Sequence, residues 1–321
     1  ILLASLFLGW GAGSNDAASA VGTPLGAGMI THRKAVLIVV VFSMLGFLLQ
    51  GQYVSKTVGS GILPKEFFEG NSSVVLAALI SASLVTLLTI MLSLPISINH
   101  TLVGGVLGMG VILGMTNKMD YSLLFRIMTC WLTTPLIAMA VTVLFHKLVV
   151  TPIAGRMNIV NFSRTFKFLS LLSAIVVSYS LGASAIGAIL GITLTSSQLP
   201  TIAGIQPETL LGISVALVFG LGVITFSDRV IKTLSSKISL LGPATSFSAQ
   251  FSAALTVYGF VLMGLPASIT HAIVGAIAGV GILKGTRTLN RRTLRTIVFG
   301  WIFTPLLSAA IAMLVYKLIS A

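Results

Sequence analysis

The sequence predicts an all-α polytopic membrane protein: two inverted-topology repeats of about five apolar segments each, with broken or re-entrant helices meeting at the midplane. Three observations predict it. Of 321 residues, 56% are hydrophobic and 8% charged, against roughly 25% charged in an ordinary soluble domain. With a mean hydropathy of +1.07, too little polar surface exists to coat a water-soluble particle. The apolar runs are long, which suits helices rather than barrel strands. And the chain repeats itself.

Residues 94–110, LPISINHTLVGGVLGMG, return as LPASITHAIVGAIAGVG 171 positions later, at 265–281. Trp131, Thr134, Pro135, Lys147 and Leu148 recur 170 positions on as Trp301, Thr304, Pro305, Lys317 and Leu318. Nearer the starts, ASAVG at 18–22 matches ASAIG at 183–187, 165 positions on. Apolar composition alone would not keep Ser, His, Trp and Pro in register.

In order, the apolar stretches lie near 1–30, 35–54, 73–93, 94–115 and 124–147, then near 168–196, 209–226, 244–264, 265–283 and 296–319. Within the first, Gly11, Gly13, Asn15 and Asp16 follow with no evident small-residue cleavage site, which argues against a removed signal peptide. The chain divides into a first repeat at 1–147, a basic linker at 148–167 with Pro152 and Gly155, and a second repeat at 168–321. An odd number of crossings per half makes the second half enter from the opposite side, and loop charge supports this. Arg33 and Lys34 occupy the loop at 31–34, while its partner near 196–199 carries no charge. The loop at 55–72 balances Lys56 and Lys65 against Glu66 and Glu69, whereas its partner at 227–243 holds Asp228, Arg229, Lys232 and Lys237. Lys118, Asp120 and Arg126 are answered by Lys284, Arg287, Arg291, Arg292 and Arg295. Basic loops therefore alternate between the halves, as an inverted repeat requires. The cytoplasmic set is 31–34, 148–167, 227–243 and 284–295, with both termini outside. A re-entrant hairpin at 94–115 or 265–283 would change the parity after it.

Nineteen basic and six acidic residues leave a net charge of +13. In short loops between apolar runs, that excess reads as positive-inside charge. No aromatic-basic platform supports nucleic-acid binding. Cys130 is the single cysteine, so a disulfide scaffold is excluded. There is no Walker loop, GxSxG elbow or HExxH motif. The expectation is a non-enzyme without bound cofactor, whose transport is passive or driven by an ion gradient.

Five of the six acids lie in or beside loops; Asp16 does not. It sits in GAGSNDAASAVGTPLGAG at 11–28, inside an apolar stretch. A carboxylate at membrane depth costs several kcal/mol (~2.5–3.5 on insertion scales) unless a cation, proton or convergent donors meet it. One reading is a helix cap formed by Ser14, Asn15 or Asp16. The other is an unwound helix whose carbonyls and carboxylate take a sodium ion or a proton. The five glycines of 11–28 would permit backbone approach to a ligand or serve close helix packing.

The second constellation is Pro-x-Ser-Ile-(Asn/Thr)-His, present twice. Pro95 and Pro266 break the preceding helix. Ser97, Asn99, Ser268 and Thr270 then supply polar groups at a new helix N-terminus, whose free N–H groups favour an anion. Capping alone would explain one copy; two copies at matched positions point to one enclosed anion. His100 and His271 follow, suited to bonding a neighbouring carbonyl. With no Cys or acid at metal-ligand spacing, zinc is not expected.

These residues resemble the inorganic phosphate transporter (PiT) family, which shows GANDVANA-like and P-(V/I)-S-T-T-H-like motifs once per inverted half. The likeness covers nearly the whole chain. It implies secondary transport of phosphate with sodium or protons, with Asn15 and Asp16 at the cation and substrate site and Ser97, Asn99, Ser268 and Thr270 as anion ligands. The departures are specific. Ser180 and Leu181 stand where a second Asn-Asp is expected, with Ser184 nearby. Ser43 and Gln250 replace Glu, while Ile98 and Ile269 replace the first Thr of each S-T-T-H. Loss of acids resembles the related sulfate-permease branch, as does SKTVGSGI at 55–62. Phosphate near neutrality keeps a proton that a carboxylate can accept in a hydrogen bond and sulfate has none to give, so each carboxylate disfavours sulfate.

The expected protein is a multi-pass cell-membrane symporter of a small tetrahedral oxyanion, with phosphate narrowly ahead of sulfate. Asp16 with Asn15 holds the coupling sodium or proton. Ser97, Asn99, Ser268, Thr270, Ser180 and Ser184 hold the anion, supported by His100, His271 and Gln250. Its partners are the anion and the lipid bilayer, not nucleic acid, and a homo-oligomer is compatible with the sequence. An anion channel would use the same breaks without coupling.

Overall fold

A computed structural model describes residues 1–196, 205–239 and 241–320. The uncharged loop expected near 196–199 falls, from 197 on, outside the described residues. Helix α1 (Leu2–Ala12) runs through a π-helical turn, Gly13–Ala17, into α2 (Ala18–Gly26). There follow α3 (His32–Lys56), α4 (Ser72–Met91), α5 (Ile98–Ile112), α6 (Tyr121–Phe145) and the short α7 (Thr151–Ala154). The second half opens with α8 (Ile159–Leu181), a π turn at Gly182–Ile186 and α9 (Gly187–Thr193). Then come α10 (Pro207–Phe226), the short α11 (Asp228–Lys232), α12 (Pro243–Leu262), α13 (Ile269–Leu283) and α14 (Arg291–Ser320). Among the described residues, six helical segments are long and apolar enough to cross a membrane. Each of the ten apolar stretches coincides with at least one of the helices α1 to α14.

One local expectation changes. The stretch around Asp16 is not unwound: the helix stays continuous and absorbs the motif in one π turn. Packing explains why. A Cβ on Gly13 would overlap the Phe219 carbonyl of α10, and one on Gly222 the Trp10 carbonyl, so these glycines let two helices touch backbone to backbone. Helix also enters the stretch read as the linker, 148–167, from both sides. Helix persists to Ala154 and resumes at Ile159, where Asn158 accepts the Asn161 N–H at 2.8 Å, so only 155–158 is irregular.

The halves interlock. Helix α5 packs on α14, and α13 on α6, so each short helix is seated on the last long helix of the other half. The contacts match. Gly104 lies against the Pro305 carbonyl and Gly275 against that of Pro135; a Cβ would overlap the carbonyl at either place. Each short helix has 15 residues, about 22 Å, which falls short of a ~30 Å hydrocarbon core. Before each lies a left-handed residue, Ser93 at φ +58° and Gly264 at φ +71°. After it stand Gly114 at φ +67° and Gly285 at φ +99°. Between Ser93 and α5 the chain is extended at 94–97, and the proline there lacks the N–H a continuing helix would need.

Candidate functional site

The two extended breaks meet and are cross-linked in matching fashion. The Asn99 amide donates to the Ala267 carbonyl at 2.9 Å, and Thr270 Oγ1 donates to the Ile96 carbonyl at 3.1 Å. A serine from each half's first helix joins the cross-link. Ser184 Oγ accepts from Asn99 Nδ2 at 2.9 Å and donates to the Ala267 carbonyl at 3.0 Å. Ser19 Oγ lies 3.1 Å from Thr270 Oγ1 and donates to the Asn15 carbonyl. Ser19 was not singled out from the sequence, although its repeat mate Ser184 was; the 18–22 and 183–187 match was the signal.

Asn15 and Asp16 belong to this knot. Asn15 Oδ1 accepts the Ile96 N–H at 3.1 Å, and its Nδ2 donates to the Leu94 carbonyl at 3.0 Å. Asp16 Oδ2 accepts the Ile98 N–H at 3.1 Å, and Oδ1 accepts the Thr270 hydroxyl at 3.0 Å. The carboxylate thus caps a helix, but not its own: it caps α5. Of the six acids it is the one that is buried, at 4% exposure. Among the described residues no cationic side chain pairs with it. Two donors and no cation leave this carboxylate only partly compensated in a low-dielectric interior.

An inventory of spare hydrogens sorts the expected anion ligands. Both Asn99 amide hydrogens are committed to protein. The single Thr270 hydroxyl hydrogen faces two groups that only accept, Asp16 and the Ile96 carbonyl. Ser184 gives its hydrogen to Ala267, and Ser180 donates to the Val176 carbonyl of its own helix at 3.0 Å. Two hydroxyls remain. Ser97 Oγ is buried with no partner among the described residues. Ser268 Oγ accepts the His271 N–H at 3.1 Å, and among the described residues no acceptor takes its own hydrogen. Ser180 therefore lies outside the cross-link, and Asn99, Thr270 and Ser184 build the cage instead of offering donors.

A second shared feature was only half legible. Trp131 and Trp301 stood out as repeated residues without a role. Each holds the other half's break at two points. The Trp301 indole N–H donates to the Pro95 carbonyl at 3.2 Å, and its carbonyl takes the His100 Nδ1 hydrogen at 3.1 Å. Trp131 does the same for Pro266 and His271, at 3.0 and 2.9 Å. Because a carbonyl only accepts, Nδ1 carries the proton in both histidines, leaving each Nε2 a bare, unpartnered acceptor among the described residues. The four rings form one column: Trp131 to His100 at 3.9 Å, His100 to His271 at 4.5 Å, His271 to Trp301 at 3.7 Å. Gln250 is buried in α12 and braces α2 just past Asp16, accepting from Thr23 and donating to the Ala20 carbonyl. Ser43 packs its backbone against Gly182, two residues before Ser184, and its hydroxyl turns to the Val40 carbonyl of its own helix at 3.5 Å.

Comparison with known proteins agrees with this architecture. A solved structure titled as the sodium-dependent phosphate transporter superposes with a TM-score of 0.82 over 99% of this chain and 98% of that one, at 24% sequence identity. The chloroplastic inorganic phosphate transporter 2-1 of Arabidopsis thaliana is 26% identical across 98% of this chain and 70% of its own length. A Methanocaldococcus jannaschii protein that carries a phosphate-permease name is 29% identical, covering 99% of this chain and 96% of its own. Residues 12–312 match the Phosphate transporter family as a whole. With its six apolar helices, the chain is a multi-pass membrane protein and belongs to the phosphate transporter family.

Proposed function

We propose that this protein is a cation-coupled symporter that carries phosphate across the cell membrane. Two buried hydroxyls, Ser97 and Ser268, carry this reading: each stands at the N-cap of a broken helix, in breaks joined to each other. Hydroxyl donors and the free N–H groups of two helix N-termini suit a tetrahedral oxyanion. Asp16, in contact with the first residue of α5, supplies the negative charge that holds a sodium ion or a proton beside that anion. Neutralising the carboxylate as the anion arrives removes their mutual repulsion. Binding of one thereby favours the other, which is what coupling requires. Asn15 supports the site by holding the break at Leu94 and Ile96 rather than by facing the ion.

The paired contacts of α5 with α14 and α13 with α6 support an inverted-repeat organisation, with repeats at 1–147 and 168–321 rocking about the shared site. Radiolabelled uptake into proteoliposomes tests this reading, with phosphate and sulfate compared and sodium and pH gradients imposed separately. Phosphate should accumulate above its equilibrium level under one of the two gradients. Equilibration without accumulation under either would make the protein a channel, and preferential accumulation of sulfate would make it a sulfate permease.

A further inference from the structure

The Asn99 amide is oriented without ambiguity. Its nitrogen end lies 2.9 Å from the Ala267 carbonyl, which can only accept, so Oδ1 points the other way. Residue 99 is buried at 2% exposure, and Oδ1 has no partner among the described residues. Ser97, at 1% exposure, is likewise unpartnered two residues earlier in the same break. Asn99 itself reaches Ala267, the neighbour of Ser268. Besides the bare Nε2 atoms of His100 and His271, the two joined breaks therefore carry two hydroxyls with uncommitted hydrogens and one amide oxygen that can only accept. A fully deprotonated tetrahedral oxyanion satisfies the donors but sets lone pairs against the amide oxygen. A buried acceptor left unpaired in this way weakens binding about ten- to hundredfold.

We infer that Asn99 is a specificity-determining residue whose Oδ1 accepts the hydrogen of a protonated oxyanion, admitting hydrogen phosphate or hydrogen arsenate and rejecting sulfate and selenate. The inference rests on the anion-site reading above and deepens it. Asp16 keeps accepting capacity beyond its two protein donors, but its charge repels an anion until a cation or proton neutralises it, whereas the amide oxygen of Asn99 is neutral. Thr270, the matching position in the second half, has its hydroxyl committed to Asp16 and Ile96 and offers no second bare acceptor.

Two measurements on the full chain separate this inference from the transport reading. The first is the thermal stability of purified protein with phosphate, arsenate, sulfate or selenate at equal concentrations, which reads binding without transport. The second is competition of the same anions with radiolabelled phosphate uptake in proteoliposomes. Phosphate and arsenate should protect and compete alike, with sulfate and selenate at least tenfold weaker. Asn99→Leu should narrow that ratio at least tenfold, while Asn99→Gln, which keeps both a donating and an accepting end, should preserve it. Sulfate that protects wild type as well as phosphate overturns the inference, as does a folded Asn99→Leu protein with an unchanged ratio. Sodium protection without anion that vanishes in Asn99→Leu also overturns it, by making Oδ1 a cation ligand. If the anions discriminate in binding but none is taken up, the inference stands and the transport reading falls.

Discussion

The first helix of each half reaches the same place by different chemistry. Ser19 and Ser184 touch the opposite breaks in matching ways, at Thr270 and Asn99. The preceding residues differ: Asn15 and Asp16 in the first half, Ser180 and Leu181 in the second. In the first half the carboxylate takes the first N–H of α5, and Ser97, the residue at that N-cap, keeps its hydroxyl free. In the second half Leu181 has nothing to offer, and Ser268 caps its own helix through the His271 N–H. Asp16 thus does two things at once: it places a charge in the site and releases a serine from capping. The halves share a scaffold and divide the chemistry between them.

Alanine at the two serines probes that difference most strongly. Ser97→Ala should raise the half-saturating phosphate concentration about tenfold while leaving the melting temperature near wild type, because no protein contact is lost. Ser268→Ala should raise it similarly and also cost about 1 kcal/mol of stability through loss of the cap. Equal melting temperatures would mean that the two caps are alike after all. Next come the tryptophans, where the halves match. Trp131→Phe and Trp301→Phe each leave one proline carbonyl without its donor, a cost of about 1 kcal/mol. Thermal shift should find the two within about 0.5 kcal/mol of each other, and a clearly unequal pair would show that the clasps differ. The smallest effect belongs to the turns before the breaks. Ser93 adopts a left-handed conformation that its counterpart Gly264 takes without strain. Ser93→Gly should therefore stabilise by about 0.5 kcal/mol and leave uptake unchanged; destabilisation would mean that the serine side chain matters there.

Much of the fold was legible because apolar runs and repeated motifs are properties of local sequence. The ten stretches, both breaks and the repeat were there to read. The partner of each polar group was not. Nothing near Asn99 in the chain says that its amide hydrogens end on Ser184 and Ala267, which lie 85 and 168 residues away. The same holds for Asp16, whose capping target lies 82 residues on. The expected unwinding at 11–28 became a π turn because glycines suit both an open loop and tight packing, and only the approach of α10 selects between them. Within the linker read at 148–167, helix runs on to Ala154 with Pro152 in its last turn, and the point where it stops is set by the backbone rather than by the proline.

Asp16→Asn keeps the size of the side chain and one accepting oxygen while removing the charge. Phosphate uptake by that protein in proteoliposomes, under the ion gradient that drives the wild type, measures directly whether this carboxylate carries the coupling. Label should enter and leave until the two sides are equal, without accumulating. Accumulation to the wild-type level would show that the ion is bound elsewhere and that the asymmetry between the halves has no part in transport.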